Sequence, residues 1–507
     1  MKIVKLSPEQ FDNFSNNHPL HTYYQTSNYG NLMSNEGFEP HYYGFINDQN
    51  ILIGASLILI QKLFLGYKYA YAPRGYLIDY DNKDLIIDVT NKMKKFLAKN
   101  NIIFLKIDPP VVNNKRDRNG NIIKSPYTND LIPFLTKIGY TYFGDNKFFG
   151  TLKPRWNAIL KVTGSAETLF DNFDPSVKNK IRKAQSRGVE ILQGNHGDIE
   201  TFYKFVAKKH YRKLNYYKEF ADSFKDNFEL YFAKLNTEKY LNNIKQIYEQ
   251  ELQKNEEINS HIQEAGLTGK ISNKLTNSKI TSDKVLAIYK KELETASSLL
   301  TKNPQGIIIS TCAVIIEKHG VILVIEGQNG AYKLYYPTFL TKWAIIEKYA
   351  KLGAVYFDLN AITGYFGDNN KFNGLNEMKL GFGAEVTEYI GEFDLVINKT
   401  IYNIHKKTKL GSKALKKSHN ETKWDFFYYT NLSILRNYNK TRRISIKSTT
   451  IYIMRVKSTS IWTIIIGTTT CKPWIVTSNH IRIIRIPSII SCVIYLPYSI
   501  TQLTFNP

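Results

Sequence analysis

Runs of apolar residues separated by polar turns divide the chain up to Leu410 into short strands and amphipathic helices. In its central part, Val321 to Ile325 has the apolar character of a buried strand, and Tyr336 to Tyr349 has the spacing of an amphipathic helix. Val355 to Leu359 predicts a second strand. Strand–helix–strand units are typical of α/β layers, whose functional groups follow the strand ends. We therefore expect a site in the loop after Leu359.

The N-terminal part predicts a second α/β unit with a mixed sheet. Ser7 and Pro8 have the residue types of a helix N-cap and first helical position, so a helix is expected to begin there. Strands and one further helix follow from the apolar pattern. The predicted strands are Lys2 to Leu6, Tyr42 to Phe45, Ile51 to Gln61 and Ile102 to Asp108, and the predicted helix is Asp84 to Asn100.

The segment from Glu238 to Thr301 has a different pattern, in which apolar residues recur at three- and four-residue spacing on a polar background. This predicts an antiparallel pair of long helices, with the reversal near Gly266 and Gly269. Because the pair separates strands of one α/β unit, we expect it to be an insertion. A passive spacer and an RNA-handling arm are both open as its role.

A basic helix is predicted over Val177 to Gly188. Its apolar residues would face the core, namely Val177, Ile181 and Ala184. No acidic residue at helical spacing offsets its positive charges, which favours phosphate contact over a merely solvated surface. The residues expected to bind phosphate are Lys180, Arg182 and Lys183.

Length and charge bound the class of protein. At 507 residues the chain exceeds what one hydrophobic core usually fills, so two or more units are expected. A net charge of +24 favours a polyanionic partner, which would be nucleic acid, a phosphorylated substrate or an anionic membrane surface. A low-GC genome, which enriches Lys and Asn, explains the same balance equally well.

Compartment and metal content follow from the cysteines and the N-terminus. The three cysteines have no metal-ligand spacing and no disulfide pattern, as expected in a reducing compartment. Met1 to Pro8 is too short and too polar for a signal peptide, so a cytoplasmic location is predicted. Cys312 lies in a predicted core strand and is expected to be a structural thiol.

The tail, residues 411–507, differs from the rest of the chain. After Asp425 it contains no Asp or Glu, and Arg, Ile, Thr and Ser accumulate. We expect this segment to be the product of a shifted frame or read-through, without an evolved fold. A basic, Ile-rich membrane attachment is the functional alternative.

An ordered set of short segments resembles the FemA/FemB/FemX family from the N-terminus to about Leu410. The segments are Tyr24-Gln-Thr, Arg74-Gly, Leu105-Lys-Ile-Asp-Pro, Ile138-Gly-Tyr, Ile181-Arg-Lys-Ala, Gly327-Gln-Asn-Gly, Phe357-Asp-Leu-Asn, Thr363-Gly, Lys379-Leu-Gly-Phe and Glu388-Tyr-Ile-Gly-Glu-Phe. Members of this family are aminoacyl-tRNA-dependent transferases that build the interpeptide bridge of peptidoglycan.

The resemblance implies an α/β fold of two domains similar to the GNAT acyltransferase fold, each with a mixed sheet. The first domain would be residues 1–150 and the second residues 151–237 and 302–410, with the helical hairpin 238–301 as an inserted arm. The implied reaction moves Gly, Ala or Ser from aminoacyl-tRNA to the stem-peptide lysine amine of a lipid-linked or nucleotide-linked muropeptide precursor. No cofactor is expected. Peripheral contact with the inner membrane face and partner transferases of the same family are further expectations.

The resemblance also implies roles for single residues. Lys379 occupies the family's basic position before Gly-Phe, where a cation would face a developing oxyanion or a phosphate. Without the resemblance, a surface lysine on a strand edge would be the simpler interpretation. Asp108 would receive the ammonium proton, or else cap a turn, and Arg74 would bind phosphate or stabilise its own turn.

Arg212 and Tyr216 fall where the family contacts the nucleotide or pyrophosphate part of the acceptor. His210 or Lys209 would fit the same role. One departure is Met33, which stands where the family generally has a basic residue.

Two other classes of function remain open from the sequence. A GNAT acyl-CoA N-acyltransferase would need a basic-x-x-Gly-x-Gly/Ala turn to bind pyrophosphate, and the segment after Gly327 does not supply it. A non-catalytic tRNA- or membrane-binding relative is the second alternative. No GxxxxGK[ST] loop for ATP is present, as expected if the ester of aminoacyl-tRNA supplies the activation.

Overall fold

The computed structural model describes the backbone of residues 1–63, 65–125, 130–144, 146–208, 212–267, 269–367 and 373–414, and six strands between residues 442 and 496. Side chains are described up to residue 407. The chain forms two compact units, Met1–Trp424 and Asp425–Pro507.

Sixteen strands of the first unit are described, numbered in chain order. They are β1 Lys2–Lys5, β2 Glu39–Ile46, β3 Leu52–Lys62, β4 Lys68–Ala72, β5 Ile102–Ile107, β6 Val112–Arg116, β7 Ile122–Lys124, β8 Tyr140–Tyr142, β9 Trp156–Lys161, β10 Val189–Gln193, β11 Phe228–Leu235, β12 Ile307–Ile316, β13 Gly320–Gln328, β14 Tyr356–Ala361, β15 Glu385–Tyr389 and β16 Phe393–Val396.

Thirteen α-helices are described in the same unit. They are α1 Pro8–Ser15, α2 Ser27–Asn35, α3 Lys83–Lys99, α4 Leu131–Lys137, α5 Ala166–Asp171, α6 Pro175–Ser186, α7 Ile199–Val206, α8 Leu214–Phe224, α9 Thr237–Leu267, α10 Asn273–Lys302, α11 Pro337–Lys351, α12 Asn373–Leu380 and α13 Lys399–Ala414. In the described part of the chain, none combines the length and hydropathy that a bilayer crossing requires.

The first sheet has seven strands in the order β1-β2-β3-β4-β5-β16-β8. Its β4 and β5 are parallel, and its other neighbours are antiparallel, which makes it a mixed sheet. Helix α3 crosses between the two parallel strands and buries Val89, Met93 and Leu97 against the sheet. Helix α1 begins as predicted, with Ser7 as N-cap and Pro8 in the first turn.

The second sheet has nine strands in the order β10-β11-β12-β13-β14-β9-β15-β6-β7. Only β13 and β14 are parallel among its described pairs, and α11 connects them. The predicted strand–helix–strand unit is therefore confirmed. Trp343, Ile345 and Ile346 of α11 are buried in the core of this sheet. The α/β class with two mixed sheets is as predicted.

The two sheets exchange strands, which the predicted domain boundaries do not allow for. β6 and β7 precede residue 150 but belong to the second sheet, and β16 follows residue 302 but belongs to the first. The physical reason is the segment from β15 to β16. It pairs with β6 and β9 in the second sheet, passes Gly391 at φ +97°, and then pairs with β5 and β8 in the first. A boundary at residue 150 therefore does not separate the sheets.

Helices α9 and α10 form the hairpin expected from the sequence, and they separate the antiparallel neighbours β11 and β12. Polar side chains are buried midway along the pair. Asn255 donates hydrogen bonds to Ser282 Oγ at 3.0 Å and to Asp283 Oδ1 at 2.9 Å. A buried polar contact between helices fixes their register.

The predicted basic helix is α6. Val177, Ile181 and Ala184 are buried, as predicted, while Arg182 and Lys183 are exposed. At its end Arg187 forms an ion pair with Glu292 of α10 at 2.8 Å, so α6 is attached to the base of the hairpin.

The second unit contains β17 Arg442–Ile446, β18 Thr449–Arg455, β19 Trp462–Thr468, β20 Trp474–Thr477, β21 Arg482–Arg485 and β22 Cys492–Leu496. They form one sheet in the order β17-β18-β19-β22-β20-β21. No strands were expected in this segment, although Ile, Val and Thr favour extended backbone. That this segment lacks an evolved fold stays a prediction.

A buried carboxylate holds the centre of the second sheet together. Glu388 of β15 accepts hydrogen bonds from Asn114 at 3.0 Å, from Arg116 at 2.8 Å and from Arg155 at 2.8 Å. The Arg155 side chain is only 1% exposed. A buried cation is stable only when it is paired with an opposite charge. Glu388 therefore stabilises the arginines on both sides of β15.

We expect Glu388→Gln to lower the free energy of unfolding by about 3–5 kcal/mol, because it leaves two arginines without their counter-charge. Glu385→Gln on the same strand is the control. Its lysine partners are partly exposed, so about 1 kcal/mol or less is expected. Urea unfolding of both variants measures the difference, and equal losses would contradict the buried pairing.

Candidate functional site

The end of β14 is fixed by side chains on both sides of Leu359. Asp358 accepts hydrogen bonds from the Asn360 backbone at 2.7 Å and from Asn157 Nδ2 at 2.9 Å. Asn360 has φ +67°, a conformation that Asn tolerates better than most residues. Its amide donates to the carbonyls of Leu323 at 2.9 Å and Val324 at 3.3 Å. The strand end is therefore fastened to β13.

The loop after β14 is held to helix α12 by one asparagine. Asn376 Nδ2 donates to the carbonyls of Thr363 at 3.0 Å and Tyr365 at 3.1 Å, and its Oδ1 accepts the Thr363 N–H at 3.0 Å. Gly364 lies against Trp156, where a Cβ would be 2.4 Å from the indole. The loop expected to hold a site is thus tightly packed.

Lys379 lies on α12 and is only 6% exposed, so the alternative of a surface lysine on a strand edge is wrong. Its Nζ donates to the Ala361 carbonyl at 2.8 Å. Burial lowers the pKa of Lys379 to about 8, with Lys342 adding to the effect, while Glu326 and Asp358 oppose it. An amino group of this kind is a cation in a largely water-free place near neutral pH.

Glu326 and Lys342 lie beside Lys379 and were not singled out from the sequence. Lys342 of α11 is 1% exposed and is ion-paired with Glu326 of β13. Cys312 of β12 is buried in the same region, and burial raises the pKa of its thiol. Its predicted placement in a core strand is confirmed.

Arg74 and Asp108 lie in direct contact at the ends of β4 and β5. Asp108 Oδ1 accepts the Arg74 backbone N–H at 2.6 Å, and Oδ2 accepts the Tyr71 hydroxyl at 2.9 Å. Arg74 donates from Nη2 to the Pro154 carbonyl at 2.7 Å, and its guanidinium carbon is 4.7 Å from the Tyr389 ring centroid. Burial raises the pKa of Asp108, while Arg74 opposes the rise. Asp108 therefore fixes the Arg74 turn.

Lys153 is a further group at this place. Its Nζ is 3.0 Å from the Tyr29 hydroxyl and 3.8 Å from the centroid of the Tyr24 ring. Burial lowers its pKa to about 7. The sequence around Lys153 contains no motif. Its surroundings are formed by tyrosines more than a hundred residues away in the sequence. Of these, only the Tyr24-Gln-Thr segment was noted in the sequence.

Arg212 and Tyr216 lie together at the start of α8. The Arg212 guanidinium is 4.5 Å from the Tyr216 ring centroid, and its Nη1 is 2.6 Å from Glu36 Oε2. His210 and Lys209 lie outside the described residues. Met33 is buried on α2, one turn before Glu36. The positive charge of Arg212 contributes to lowering the pKa of Lys153, so both belong to one cluster.

The predicted residues thus form two adjoining clusters and one separate group. Arg74, Asp108, Lys153, Arg212 and Tyr216 make the first cluster, and Lys379 lies in the second with Glu326 and Lys342. The two adjoin at Asp358, because both Lys379 and Arg74 oppose the burial-driven rise in its pKa.

The basic residues of α6 form the separate group. Lys180 Nζ is 4.8 Å from the Phe339 ring centroid, and the Arg182 guanidinium carbon is 5.5 Å from that of Phe170. Lys183 is exposed on the same helix. Outside α6 itself, their described side-chain contacts are with α11 and α5 rather than with either cluster. Across the described residues, no group of His, Cys, Asp and Glu is arranged to hold a metal ion.

Glu317, directly after β12, attaches the 3-10 turn Tyr23–Gln25 to the second sheet next to the first cluster. It accepts the backbone N–H of Tyr23 at 2.6 Å and the hydroxyl of Tyr356. Burial raises its pKa from 4.5 to about 7. The residue after Tyr23 is Tyr24, so Glu317 also fixes the ring that covers Lys153.

The fold and these clusters define an α/β protein whose two mixed sheets share one site region, and the comparisons give its family. The model of the FemAB family matches residues 6–409. The chain belongs to this family. Its tail lies outside the matched residues.

Curated relatives and a solved structure agree with this assignment. An aminoacyltransferase FemA of Staphylococcus aureus strain bovine RF122 is 24% identical over 417 residues, which are 79% of this chain and 97% of that protein. A FemA of Staphylococcus epidermidis strain ATCC 12228 is 25% identical over 421 residues, or 81% and 99%. The crystal structure of FemX is similar with a TM-score of 0.61 at 18% identity, over 80% of this chain and 99% of that one. This last likeness establishes the fold.

We expect the stability of the protein relative to Glu317→Gln to fall as pH rises from 4.5 to about 7. In that window folded Glu317 holds a proton that the unfolded chain has released, so deprotonation costs stability. Melting temperatures of both proteins from pH 5 to 8 measure the effect. Glu347→Gln, which removes a half-exposed carboxylate, is the control. A constant difference across this range would contradict the raised pKa.

Proposed function

We propose that the protein is an aminoacyltransferase of peptidoglycan synthesis that moves Gly, Ala or Ser from aminoacyl-tRNA to the stem-peptide lysine amine of a muropeptide precursor. Its place in the FemAB family and the names of its FemA relatives support the reaction class. The structural observation that carries the proposal is Lys379, a buried cation beside the end of β14.

The proposed reaction needs positioning and charge stabilisation rather than a cofactor. The neutral amine of the acceptor attacks the ester carbonyl and forms the C–N bond. The tetrahedral intermediate collapses with loss of the ribose oxygen, which takes up a proton, while the former amine gives one up. The aminoacyl ester supplies the activation, so aminoacyl-tRNA is the co-substrate and no ATP is consumed.

Lys379 is proposed as the catalytic cation. The carbonyl oxygen of the ester becomes negative in the tetrahedral intermediate, and a cation in a water-poor place stabilises it more strongly than one in solvent. The hydrogen bond from Lys379 to the Ala361 carbonyl holds the lysine side chain in place, and Asn376 holds its helix. Stabilisation of an oxyanion requires a cation in a fixed position.

The first cluster is proposed to bind the acceptor. Arg74 and Arg212 are cations suited to phosphate, and Tyr216 offers an aromatic face. Asp108 fixes the turn at Arg74 and has further lone pairs on its carboxylate oxygens. We therefore propose Asp108 as the group that accepts the proton of the acceptor's ammonium.

The basic surface of α6 is proposed to contact the tRNA. Lys180, Arg182 and Lys183 project from a helix that is attached to the hairpin through Arg187 and Glu292. The net charge of +24 supports contact with polyanions in general. Peripheral contact of a cytoplasmic enzyme with the anionic inner membrane face, and cooperation with related transferases, belong to the same proposal.

The reaction is tested by transfer of radiolabelled amino acid from charged tRNA to the precursor. Glycyl-, alanyl- and seryl-tRNA are offered separately, each with a lipid-linked and a nucleotide-linked pentapeptide. Acetyl-CoA is the control donor. Label on the stem-peptide lysine that disappears after ribonuclease treatment of the donor supports the proposal. Absence of transfer from all three donors by the folded protein would refute it.

We expect Lys379→Ala to lower the transfer rate by about 100-fold or more, in the range found when an oxyanion-stabilising group is removed. Single-turnover rates measure the chemical step. Lys351→Ala, on the exposed side of α11, is the matched control and should transfer normally. Near-normal rates for Lys379→Ala, with an unchanged circular dichroism spectrum, would remove Lys379 from the mechanism.

A further inference from the structure

The outer face of helix α10 carries isoleucines that the fold leaves in water. Ile280 is 47% exposed and Ile288 is 61% exposed. Lys284 and Lys291 of the same helix are also exposed. Spacings of three and four residues place these four side chains on one face of the helix. We call these four residues the Ile–Lys face.

The opposite face of α10 packs within the hairpin. Ser282 is buried and accepts a hydrogen bond from Asn255 of α9, and Ala296 is buried in the core of the second sheet. From Ala296 to its first residue, Asn273, the helix extends about 35 Å. The hairpin is therefore packed without the Ile–Lys face, which points away from the partner helix.

The turn of the hairpin has the same composition. Leu267, the last residue of α9, is 89% exposed, and Ile271 is 46% exposed. Lys270 and Lys274 are exposed beside them. Apolar and basic side chains therefore continue from the Ile–Lys face to the end of the arm.

Three classes of partner use such a surface differently. Nucleic acid contacts lysines through its phosphates but gives the isoleucines no role. A second copy of this chain would bring the same face of both subunits together, so Lys284 and Lys291 would meet like charges. An anionic membrane surface uses both residue types, because isoleucines enter the boundary between headgroups and acyl chains while lysines contact the headgroups.

We propose that the Ile–Lys face and the hairpin turn lie on the anionic inner surface of the membrane. Lys279 of the same helix pairs with Asp283, whereas in the described part of the chain Lys284 and Lys291 form no ion pair. Both charges are thus available to headgroups. The inference deepens the peripheral membrane contact of the proposed function, on which the choice of the inner face rests, by naming the surface that makes it.

Binding of the full chain to sedimented vesicles tests the proposal. Vesicles of phosphatidylglycerol and phosphatidylcholine are compared with vesicles of phosphatidylcholine alone. We expect binding to the anionic vesicles that weakens as salt rises. Ile280→Ser combined with Ile288→Ser should lower the partition coefficient about tenfold or more, because two aliphatic side chains no longer enter the interface. Ile122→Ser combined with Ile123→Ser, on the exposed strand β7, is the matched control.

Fluorescence separates the Ile–Lys face from the basic tail, which every variant retains. Ile288→Trp adds an indole on the face, and Ile123→Trp adds one elsewhere at nearly the same exposure, 61% against 62%. On anionic vesicles that contain brominated lipid, we expect the emission added by Ile288→Trp to be quenched. The emission added by Ile123→Trp should remain.

Three outcomes would overturn the inference. They are absence of binding to anionic vesicles, equal quenching of the two added indoles, and a partition coefficient of the Ile280→Ser, Ile288→Ser variant equal to that of the unmodified protein. The quenching comparison needs no serine variant, so it stands even where that variant fails to fold. Loss of tRNA binding by Lys284→Gln with Lys291→Gln, at unchanged vesicle binding, would assign the face to RNA instead.

The vesicle assays contain neither tRNA nor muropeptide, so they separate this inference from the proposed reaction. Aminoacyl transfer by a protein that does not bind anionic vesicles refutes the inference alone. Vesicle contact through the Ile–Lys face, without aminoacyl transfer from any of the three donors, refutes the proposed function alone.

Discussion

The arrangement of both sheets depends on pairing the Glu388 carboxylate inside the protein. A buried carboxylate is tolerated only when its oxygens are saturated, and donors from β6 and from Arg155, which directly precedes β9, meet that need on the two sides of β15. These donors lie between residues 114 and 155, whereas Glu388 lies more than 200 residues later in the chain. The pairing therefore stabilises β6 beside β15 in the second sheet.

The segment from β15 to β16, which contains Glu388 and Glu392, fixes the groups of the first cluster. Arg155 is held by Glu388, and the Leu152 backbone is held by Glu392, so residues 152–155 are attached at both ends to the segment that joins the sheets. Lys153 lies between these two attachments, and the Pro154 carbonyl receives Arg74. A lysine with low exposure to water persists here because the backbone on both sides of it cannot move away.

The sequence predicted the framework better than the site. The unit β13–α11–β14 follows from periodicity because each element buries one continuous face. Lys379 was found by resemblance, but its helix α12 was not predicted, since eight residues that include Gly374 have little intrinsic helix preference and are stabilised by Asn376. Lys153 and the Glu326–Lys342 pair were missed because contacts between distant segments, rather than local pattern, determine their chemistry.

The two lysines differ in what their surroundings can support. Lys379 lies near Glu326 and Asp358, so part of the cost of burying its charge is offset within the protein, and it remains mostly cationic at neutral pH. Lys153 has Asp108 and Glu392 as negative neighbours and Arg74 and Arg212 as positive ones, and burial lowers its pKa further, to about 7. A fixed cation suits charge that develops briefly on a reacting oxygen.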